Sequence, residues 1–305
     1  MKRRFVNPFK APGRWYKGNV HAHTTRSDGT RTPEKLVEIY RDAGYDFLSV
    51  TDHSVVADTK GLGGPGFLLV PGEEICVGRS HAGTLYHLVA LGVDETLPFT
   101  DFDRGLDPQR VVDHVNETGG VPILAHPYWS GLSHRDMMML DRYHGVEIYN
   151  TSCMYERNTG LSASHIDGVL AAGRRLRIYA VDDHHGADRP TMPLDACGAW
   201  INVKAASLSR GSIMKSIKEG LFYSSTGPEI KNLIIREDGV ITVECSPVKT
   251  IGFVSTPSLG MVFHAMDGPL TAAAYPGRPG ETYVRVEVTD YDGRTAWTNP
   301  IYNEG

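Results

Sequence analysis

The chain has 305 residues, of which 41% are hydrophobic and 22% are charged, and its formal net charge is −5 with histidine neutral. This composition is ordinary for a globular protein with a sizeable core, and the negative charge argues against a nucleic-acid partner. The four cysteines are widely spread and form no CxxC pair, so we expect a reducing, cytoplasmic compartment. No apolar segment follows the basic N-terminal residues, and we therefore expect neither a signal peptide nor a membrane span.

Short apolar strands alternate with amphipathic helices from about residue 18 to residue 220. The predicted strands are 18–23, 46–50, 67–70, 85–91, 121–125, 145–149, 176–181 and 199–203. The predicted helices are 33–43, 107–119, 137–140, 162–172 and 213–218. Strands this short and apolar are typical of buried parallel sheets. The order therefore predicts an α/β barrel of parallel strands with irregular crossovers.

The two ends of the chain differ from this central part. Residues 1–17, with three Pro or Gly residues, predict an irregular lead-in. From about residue 231 the helical period disappears, and two Gly-containing turns at 237–239 and 290–293 each predict a β-hairpin. We therefore divide the chain into a lead-in at 1–17, a barrel at 18–230 and a small antiparallel β module at 231–305.

Two histidines, His21 and His23, stand at the end of the first predicted strand. Residues two apart on a strand point to the same side, so the two imidazoles should face together. The turn at 27–29 brings the carboxylate of Asp28 back to the same end. Taken alone, this stretch fits a transition-metal site and fits equally well one buried and one surface histidine.

Further histidines and acids stand on or just after later predicted strands. In chain order these residues are His53, Glu73, Glu74, His87, His126, Asp182 and His184. The C-terminal ends of barrel strands form a single face, so these distant residues should meet in space. We predict a multinuclear metal site there. The alternative interpretation is a set of polar residues that satisfy one another at the mouth of the barrel.

Six motifs carry a resemblance to a known family. They are His21-Ala22-His23 with Ser27-Asp28-Gly29, Thr51-Asp52-His53, Pro71-Gly72-Glu73-Glu74-Ile75, His87, Ala125-His126-Pro127 and Asp182-Asp183-His184. Together they resemble the polymerase and histidinol phosphatase (PHP) family of metal-dependent phosphoesterases over residues 15–225. The resemblance implies a distorted (β/α)7 barrel that binds two or three divalent ions, commonly zinc, manganese or iron.

The resemblance also implies a ligand set, in which a Gly-x-Glu-Ile pattern selects Glu74 over Glu73. The implied ligands are His21, His23, Glu74 and Asp182 for a first ion, Glu74, His87 and His126 for a second, and Asp28, His53 and His184 for a third. Some members have histidine where this chain has Asp28. Histidine nitrogens with carboxylate oxygens suit zinc, manganese or iron better than magnesium.

Such a site predicts a hydrolase. Two ions about 3.5–4 Å apart can hold a bridging hydroxide as the nucleophile and clamp the oxygens of a phosphate. Asp52, Asp183 and His185 adjoin the implied ligands, and each is a candidate to orient a ligand or to carry a proton to the leaving group. We expect the substrate to be a small phosphomonoester or phosphodiester.

Three arginines are candidate phosphate clamps, and the alternative for each is a solvated surface charge: Arg79, Arg157 and Arg189. Two other functions stay open. The end of the β module, around Trp297-Thr298-Asn299-Pro300, resembles a subgroup that includes hydrolases proposed to act on carbamate esters, so a carbamate or carboxylic ester is the second candidate substrate. The third possibility is a non-catalytic binding module.

Overall fold

The computed structural model describes residues 2–186, 192–256 and 258–304. The strands are β1 (Lys2–Arg4), β2 (Arg14–Asn19), β3 (Phe47–Val50), β4 (Leu68–Val77), β5 (Tyr86–Leu91), β6 (Val121–Leu124), β7 (Gly145–Asn150), β8 (Arg177–Val181), β9 (Trp200–Ala205), β10 (Phe222–Ser225), β11 (Ile230–Ile235), β12 (Ile241–Val248), β13 (Thr250–Ser255), β14 (Gly260–His264), β15 (Leu270–Tyr275), β16 (Tyr283–Thr289), β17 (Thr295–Thr298) and β18 (Ile301–Glu304). The helices are α1 (Pro33–Asp42), α2 (Pro108–Glu117), α3 (His134–Met139), α4 (Thr151–Arg157), α5 (Ala163–Ala171) and α6 (Arg210–Glu219).

The first two helices begin where the sequence signals place them. The Thr32 side chain accepts a hydrogen bond from the amide of Lys35, and proline is the first residue of α1. Asp107 caps α2 in the same way, again with proline next. Proline at this position costs no hydrogen bond, because the first amides of a helix have no partner within it. In the part of the chain that the structure describes, no helix combines the length and apolar character needed to cross a membrane.

One large mixed sheet organises the molecule. Its order is β1-β18-β16-β17-β10-β9-β2-β3-β4-β5-β6-β7-β8, and β13 adds to it by pairing with β16 and β14. The strands β2, β3 and β4 are parallel to one another, as are β6, β7 and β8. A second sheet has the order β11-β12-β15. The mixed α/β fold is therefore confirmed.

The prediction of parallel strands throughout was wrong for β9, which runs antiparallel to β2, and for β5. Strand β5 runs antiparallel to both β4 and β6. Only residues 78–85 separate β4 from β5, and a parallel connection needs a crossover of about a dozen residues or more. A chain that returns so quickly can only form a hairpin.

The ends of the parallel run approach each other through the segments that follow β2 and β8. Ala22 and His184 form a single parallel bridge, in which the amide of His23 donates to the carbonyl of His184 at 2.8 Å. The amide of Asp183 donates to the carbonyl of His21 at 2.9 Å. Among the described residues no longer ladder joins β2 to β8, and a closed seven-stranded barrel stays a prediction.

Two predicted strand boundaries change where the site residues lie. β2 ends at Asn19, so His21 and His23 follow the strand rather than end it. β4 continues to Val77 and contains Glu73 and Glu74, which we had placed after a strand ending at residue 70. The extension pairs with β5, which shields the carboxylates from solvent on that side.

The terminal segments take part in the sheet. β1 pairs with β18 and β2 begins at Arg14, so the expectation of an irregular segment at 1–17 was wrong. The hairpins β11–β12 and β16–β17 confirm the two predicted turns. Since β17 pairs with β10, the sheet runs without a break past residue 231. The division into three domains stays a prediction.

A buried ion pair fastens the C-terminal strands to the helical layer. Arg285 on β16 is 2% exposed, and its guanidinium donates to both carboxylate oxygens of Asp167 on α5, at 2.8 and 2.7 Å. Asn299 accepts the amide hydrogen of Ile178 on β8 at 3.0 Å. These contacts hold β8, which leads into the functional site, against the C-terminal strands.

His144, just before β7, gives the fold a pH dependence. Burial lowers its pKa to about 4, so between pH 4 and its ordinary pKa the unfolded chain binds more protons than the folded protein. Stability is then fully present above about pH 6.5 and is lost as the pH falls towards 4, by up to about 3 kcal/mol. Urea unfolding of metal-stripped protein at pH 7 and pH 5 should show about 2 kcal/mol of this loss. His144→Gln should abolish this loss of stability. An equal loss in the variant would show that His144 is not the group responsible.

Candidate metal centre

Ligand-type side chains from six separate segments converge beside the ends of β2, β3, β6 and β8. Two groups of four residues each offer ligand atoms that lie within 4.8 Å of one another. The first group, His21, His23, Glu74 and Asp183, is fully buried. The second group combines the buried His23 with the partly or largely exposed Asp28, His53 and His185. His23 belongs to both groups, so they form one continuous cluster.

Glu74 lies at the centre of the cluster and is 1% exposed. One carboxylate oxygen, Oε2, is 3.4 Å from His21 Nε2, 3.2 Å from His23 Nε2 and 3.4 Å from His53 Nε2. The other, Oε1, is 3.0 Å from His87 Nδ1 and 3.3 Å from His126 Nε2. Burial alone would raise the pKa of Glu74, but the neighbouring histidines outweigh it and hold this pKa well below its ordinary value. A carboxylate with imidazoles on both oxygens can serve two ions at once.

Asp183 is the second buried carboxylate of the cluster. Its Oδ1 lies 3.1 Å from Nε2 of both His21 and His23, yet it has no hydrogen-bond partner among the described residues. Its Oδ2 accepts a hydrogen bond from the side-chain Nδ2 of Asn150 at 3.1 Å. Burial would raise the pKa of Asp183, but His21 and His185 lower it further than that. A buried oxygen between two imidazole nitrogens, without a donor of its own, fits a cation.

Asp183 and His126 both have backbone conformations that side chains rarely adopt, with φ of 55° and 23°. Left-handed backbone at residues other than glycine costs about 1–3 kcal/mol and is common at functional sites. At Asp183 it turns the chain sharply after β8 and aims the carboxylate into the cluster.

Asp182, which we predicted as a ligand, lies outside the cluster. Five donors saturate its carboxylate: the hydroxyls of Tyr40 and Thr151 and the amides of Cys197, Gly198 and Ala199, all at 2.8–2.9 Å. Burial raises the pKa of Asp182 to about 6, although these hydrogen bonds oppose the rise. No lone pair remains for an ion, and Asp183 takes the position that we had given to Asp182.

His184 also lies outside the cluster, although its buried Nε2 has no hydrogen-bond partner among the described residues. Its Nδ1 lies 2.7 Å from Asp195 Oδ1, and neither group of four contains it. His185 stands in the cluster instead, with Nε2 3.5 Å from Asp28 Oδ2 and Nδ1 donating to the carbonyl of Asp183 at 2.7 Å. Burial alone would lower the pKa of His185, but Asp183 and Asp28 raise it to about 10.

Asp28 and His53 lie where the motifs place them. Asp28 Oδ1 is 3.4 Å from His23 Nδ1, and its Oδ2 is 3.7 Å from His53 Nε2. Its side chain is 55% exposed, so this edge of the cluster faces solvent. Burial alone would raise the pKa of Asp28, but the histidines His185, His23 and His53 outweigh it and lower this pKa below its ordinary value.

Asp52, a predicted catalytic residue, holds the loop after His23. Its carboxylate accepts hydrogen bonds from the Thr24 amide at 2.6 Å, the Thr24 hydroxyl at 2.7 Å and the Ser27 hydroxyl at 2.8 Å. The side chain is fully buried and does not line the cavity above the cluster. Its position fits an orienting role and not proton transfer to a substrate.

Sequence reasoning missed several residues that contact the cluster. Glu147 on β7 lies 2.6 Å from His21 Nδ1 and accepts the His126 amide at 2.8 Å, which fixes the His21 ring with Nε2 towards Glu74. Cys76 Sγ lies 3.1 Å from His87 Nδ1, and Asp101 Oδ2 lies 3.8 Å from His53 Nδ1. Glu147 carried a signal, because it is a lone acid within an apolar predicted strand.

A cavity of about 320 Å³ opens above the cluster. Its lining comprises the cluster residues Asp28, His53, Glu74, His87, His126, Asp183 and His185 together with Thr30, Trp129, Ser152, Cys153, Glu156 and Met192. Apart from the histidines, the lining consists of acidic, aromatic and apolar side chains and the hydroxyl residues Thr30 and Ser152.

The two predicted arginine clamps that the structure describes, Arg79 and Arg157, do not line this cavity. Arg79 is exposed and lies outside it. Arg157 contacts the rim, where its guanidinium stands 5.5 Å from the centre of the Trp129 ring and 3.3 Å from Glu156. Arg189 lies outside the described residues.

Comparisons with known proteins place this geometry in context. No family model matches the chain. It is 26% identical over 171 residues to an uncharacterized protein of Methanocaldococcus jannaschii, a match that covers 50% of this chain and 86% of that protein. It is 36% identical over 87 residues to the 5'-3' exoribonuclease Rnm of Escherichia coli, covering 26% of this chain and 29% of that enzyme.

A solved structure matches almost the whole chain. It is a two-domain protein from Bacteroides vulgatus that contains a predicted PHP-like metal-dependent phosphoesterase, aligned over 95% of this chain and 96% of that chain with a TM-score of 0.52 and 18% identity. The fold and the cluster together define a mixed α/β protein with a candidate metal site. The chain shares the fold of a PHP-like protein, which confirms the resemblance to the PHP family at the level of the fold.

Proposed function

We propose that this chain is a metal-dependent hydrolase of the PHP family that cleaves a small phosphomonoester or phosphodiester. The observation that carries the proposal is the central carboxylate of Glu74, which lies within 3.4 Å of nitrogens from five histidines. Such a concentration of imidazoles and acids, buried away from solvent, is costly without a cation to share the charge. The non-catalytic alternative loses support because no donor of the cluster is missing.

The donors suit two ions and admit a third. His21, His23, Glu74 and Asp183 would hold the first. Glu74 would share a second with His87 and His126. Asp28, His53 and His185 would hold the third at the solvent-exposed edge. Zinc, manganese and iron fit this mixture of nitrogen and oxygen donors.

Bound divalent ions would supply Lewis-acid activation of water and would neutralise the charge of a phosphate group. The protein's own contribution is orientation. Glu147 fixes the ring of His21, and Ser130 lies 3.0 Å from Nδ1 of His126, which leaves Nε2 directed at Glu74. Such supporting contacts typically change metal affinity about 10–100-fold.

His185 has two possible uses that exclude each other. Its Nδ1 is held by the carbonyl of Asp183, so Nε2 faces Asp28 and the cavity. When three ions are bound, this nitrogen is a ligand. When two are bound, Nε2 would be free of metal and placed to pass a proton to the leaving oxygen. The number of bound ions therefore decides the role of His185.

A specific observation favours the carbamate or carboxylic ester as a second candidate substrate. In the described part of the chain, no arginine or lysine lines the cavity, whereas Trp129, Cys153 and Met192 do. A phosphate would then depend on the metal ions alone for charge balance, while a less charged aryl ester would gain from the aromatic wall. The small cavity with acidic lining also disfavours a long nucleic acid.

Removal of metal tests the proposed function. Dialysis against a chelator should abolish hydrolysis of para-nitrophenyl phosphate, and manganese or zinc added back should restore it, with two or three ions per chain by elemental analysis. Undiminished turnover without metal would refute the proposal. Running bis-para-nitrophenyl phosphate, an aryl acetate, an aryl carbamate and a short RNA in parallel separates the substrate classes, and turnover of the carbon esters alone would favour the second candidate.

A further inference from the structure

A second cavity, of about 310 Å³, lies at the opposite end of β8 from the metal centre. Arg177 begins β8 and lines this cavity, whereas Asp183 follows the other end of the strand. The extended strand from Arg177 to Val181 alone spans about 13 Å. The cavity is formed where β1, the end of α6 and the turn between β17 and β18 meet the starts of β7 and β8. We name it the basic cavity.

The charge of the basic cavity is one-sided. Arg4, Arg175, Arg177 and Lys218 line it, and no aspartate or glutamate does. Within the described ranges, none of the four forms an ion pair with an acid. Four unneutralised cations around one hollow are notable in a chain whose net charge is −5.

The neutral polar groups of the basic cavity are already engaged. The ring of His144 accepts a hydrogen bond from Tyr179 at 2.7 Å and donates to the carbonyl of Lys218 at 3.1 Å. The Tyr302 hydroxyl accepts from the amide of Leu176 and donates to its carbonyl, at 2.7 and 3.0 Å. By contrast, Arg177 Nε is buried and has no hydrogen-bond partner among the described residues. Lys218 Nζ also donates to the carbonyl of Gly119, and Arg177 Nη2 to that of Glu219 at 3.4 Å, but neither contact neutralises a charge. The donors that remain unused in the basic cavity are therefore cationic.

The remaining walls are aromatic or apolar. Phe5, Tyr143, Tyr302 and Pro300 supply them, and the Arg175 guanidinium stands 5.4 Å from the centre of the Tyr302 ring. Guanidinium groups bind phosphate oxygens in pairs, and a flat ring packs well on tyrosine or arginine. The volume lies at the small end of the range for pockets that bind small molecules, about 300–1,000 Å³.

We propose that the basic cavity binds a small organic phosphate that carries a ring, of about the size of a mononucleotide, at a site separate from the metal centre. The phosphate would face Arg175, Arg177 and Lys218, and the ring would lie against the aromatic wall. Inorganic phosphate would contact only the cationic side chains, and a neutral nucleoside would contact only the aromatic wall.

Calorimetric titration of metal-stripped protein tests the proposal with adenosine 5'-monophosphate, inorganic phosphate and adenosine as probes. We expect one saturable site per chain for the monophosphate, at least tenfold weaker binding of phosphate, and no binding of adenosine. The Arg175→Ala/Lys218→Ala double variant should weaken binding of the monophosphate at least tenfold. Lys215→Ala, one turn earlier on α6 and 74% exposed at its side chain, is the matched control and should bind as wild type does.

Three outcomes would overturn the proposal: equal affinity for the monophosphate in wild type and double variant, equal affinity for inorganic phosphate, or no saturable binding at about 1 mM. Binding at the metal centre would persist in the double variant, because neither substitution touches it. Urea-unfolding midpoints measured without probe show whether the variants fold. If the double variant does not fold, the single variant Arg175→Glu, at an exposed position, repeats the test. Metal-stripped protein makes the result independent of the proposed hydrolase activity.

Discussion

Glu74→Gln should abolish metal binding and hydrolysis together, with kcat/KM falling at least about a thousandfold, which corresponds to about 4 kcal/mol of lost transition-state stabilisation. One carboxylate faces His21, His23 and His53 with one oxygen and His87 and His126 with the other. The amide keeps the shape but replaces one anionic oxygen with an NH2 group that cannot bind a cation. Both ions that depend on Glu74 should therefore be lost in one substitution.

The neighbouring residue provides a matched control. Glu73 is equally buried, and burial raises its pKa to about 7, while its Oε1 accepts the amide hydrogen of Leu97 at 2.6 Å. A glutamine can accept the same hydrogen bond and resembles the protonated acid in size and charge. Glu73→Gln should keep metal content and activity within about threefold of wild type, because its side chain belongs to none of the groups of ligand atoms.

Metal content by elemental analysis and hydrolysis of para-nitrophenyl phosphate should be measured on both variants side by side. Retention of two ions by Glu74→Gln with a mild rate loss would show that the bridging carboxylate is misassigned. The reverse result, in which only Glu73→Gln loses metal, would move the assignment by one residue along β4.

The parts of the fold that local signals determine were predictable from the sequence. Proline after a capping residue marks the start of α1 and α2 because it concerns only neighbouring atoms. Pairing between distant strands carries no such local signal. The antiparallel direction of β5 depends on the short link at 78–85, and the pairing of β1 with β18 joins opposite ends of the chain.

The candidate site was predictable in its composition and was misread by one residue at β8. The segment 182–185 contains two overlapping Asp-x-His patterns, Asp182 with His184 and Asp183 with His185. Which pair enters the cluster is decided by the left-handed backbone at Asp183 and by the donors around Asp182, from Tyr40 on α1 to the amides of 197–199. Both depend on the tertiary structure, and the sequence shows the same Asp-x-His pattern for the two pairs.

Substitution of Asp182 and of Asp183 should separate an effect on stability from an effect on metal binding. Asp182→Asn should lower the free energy of unfolding by about 2–4 kcal/mol, because the new NH2 group must face at least one backbone N–H that the carboxylate had accepted. On one oxygen these donors are Gly198 and Ala199, and on the other Cys197. Folded Asp182→Asn should still bind metal, since its side chain does not enter the cluster.

Asp183→Asn should show the opposite pattern. Its Oδ1 has no hydrogen-bond donor to lose, and the amide oxygen can still accept from the Asn150 side chain, so the loss of stability should be smaller than in Asp182→Asn. The anionic oxygen between His21 and His23 disappears, and with it the first ion, so activity should fall at least about a hundredfold, or about 3 kcal/mol. Urea unfolding of metal-stripped protein measures the first effect, and metal content with turnover measures the second. If Asp182→Asn instead lost metal while Asp183→Asn lost only stability, the earlier Asp-x-His assignment would stand and the geometry of the cluster after β8 would be refuted.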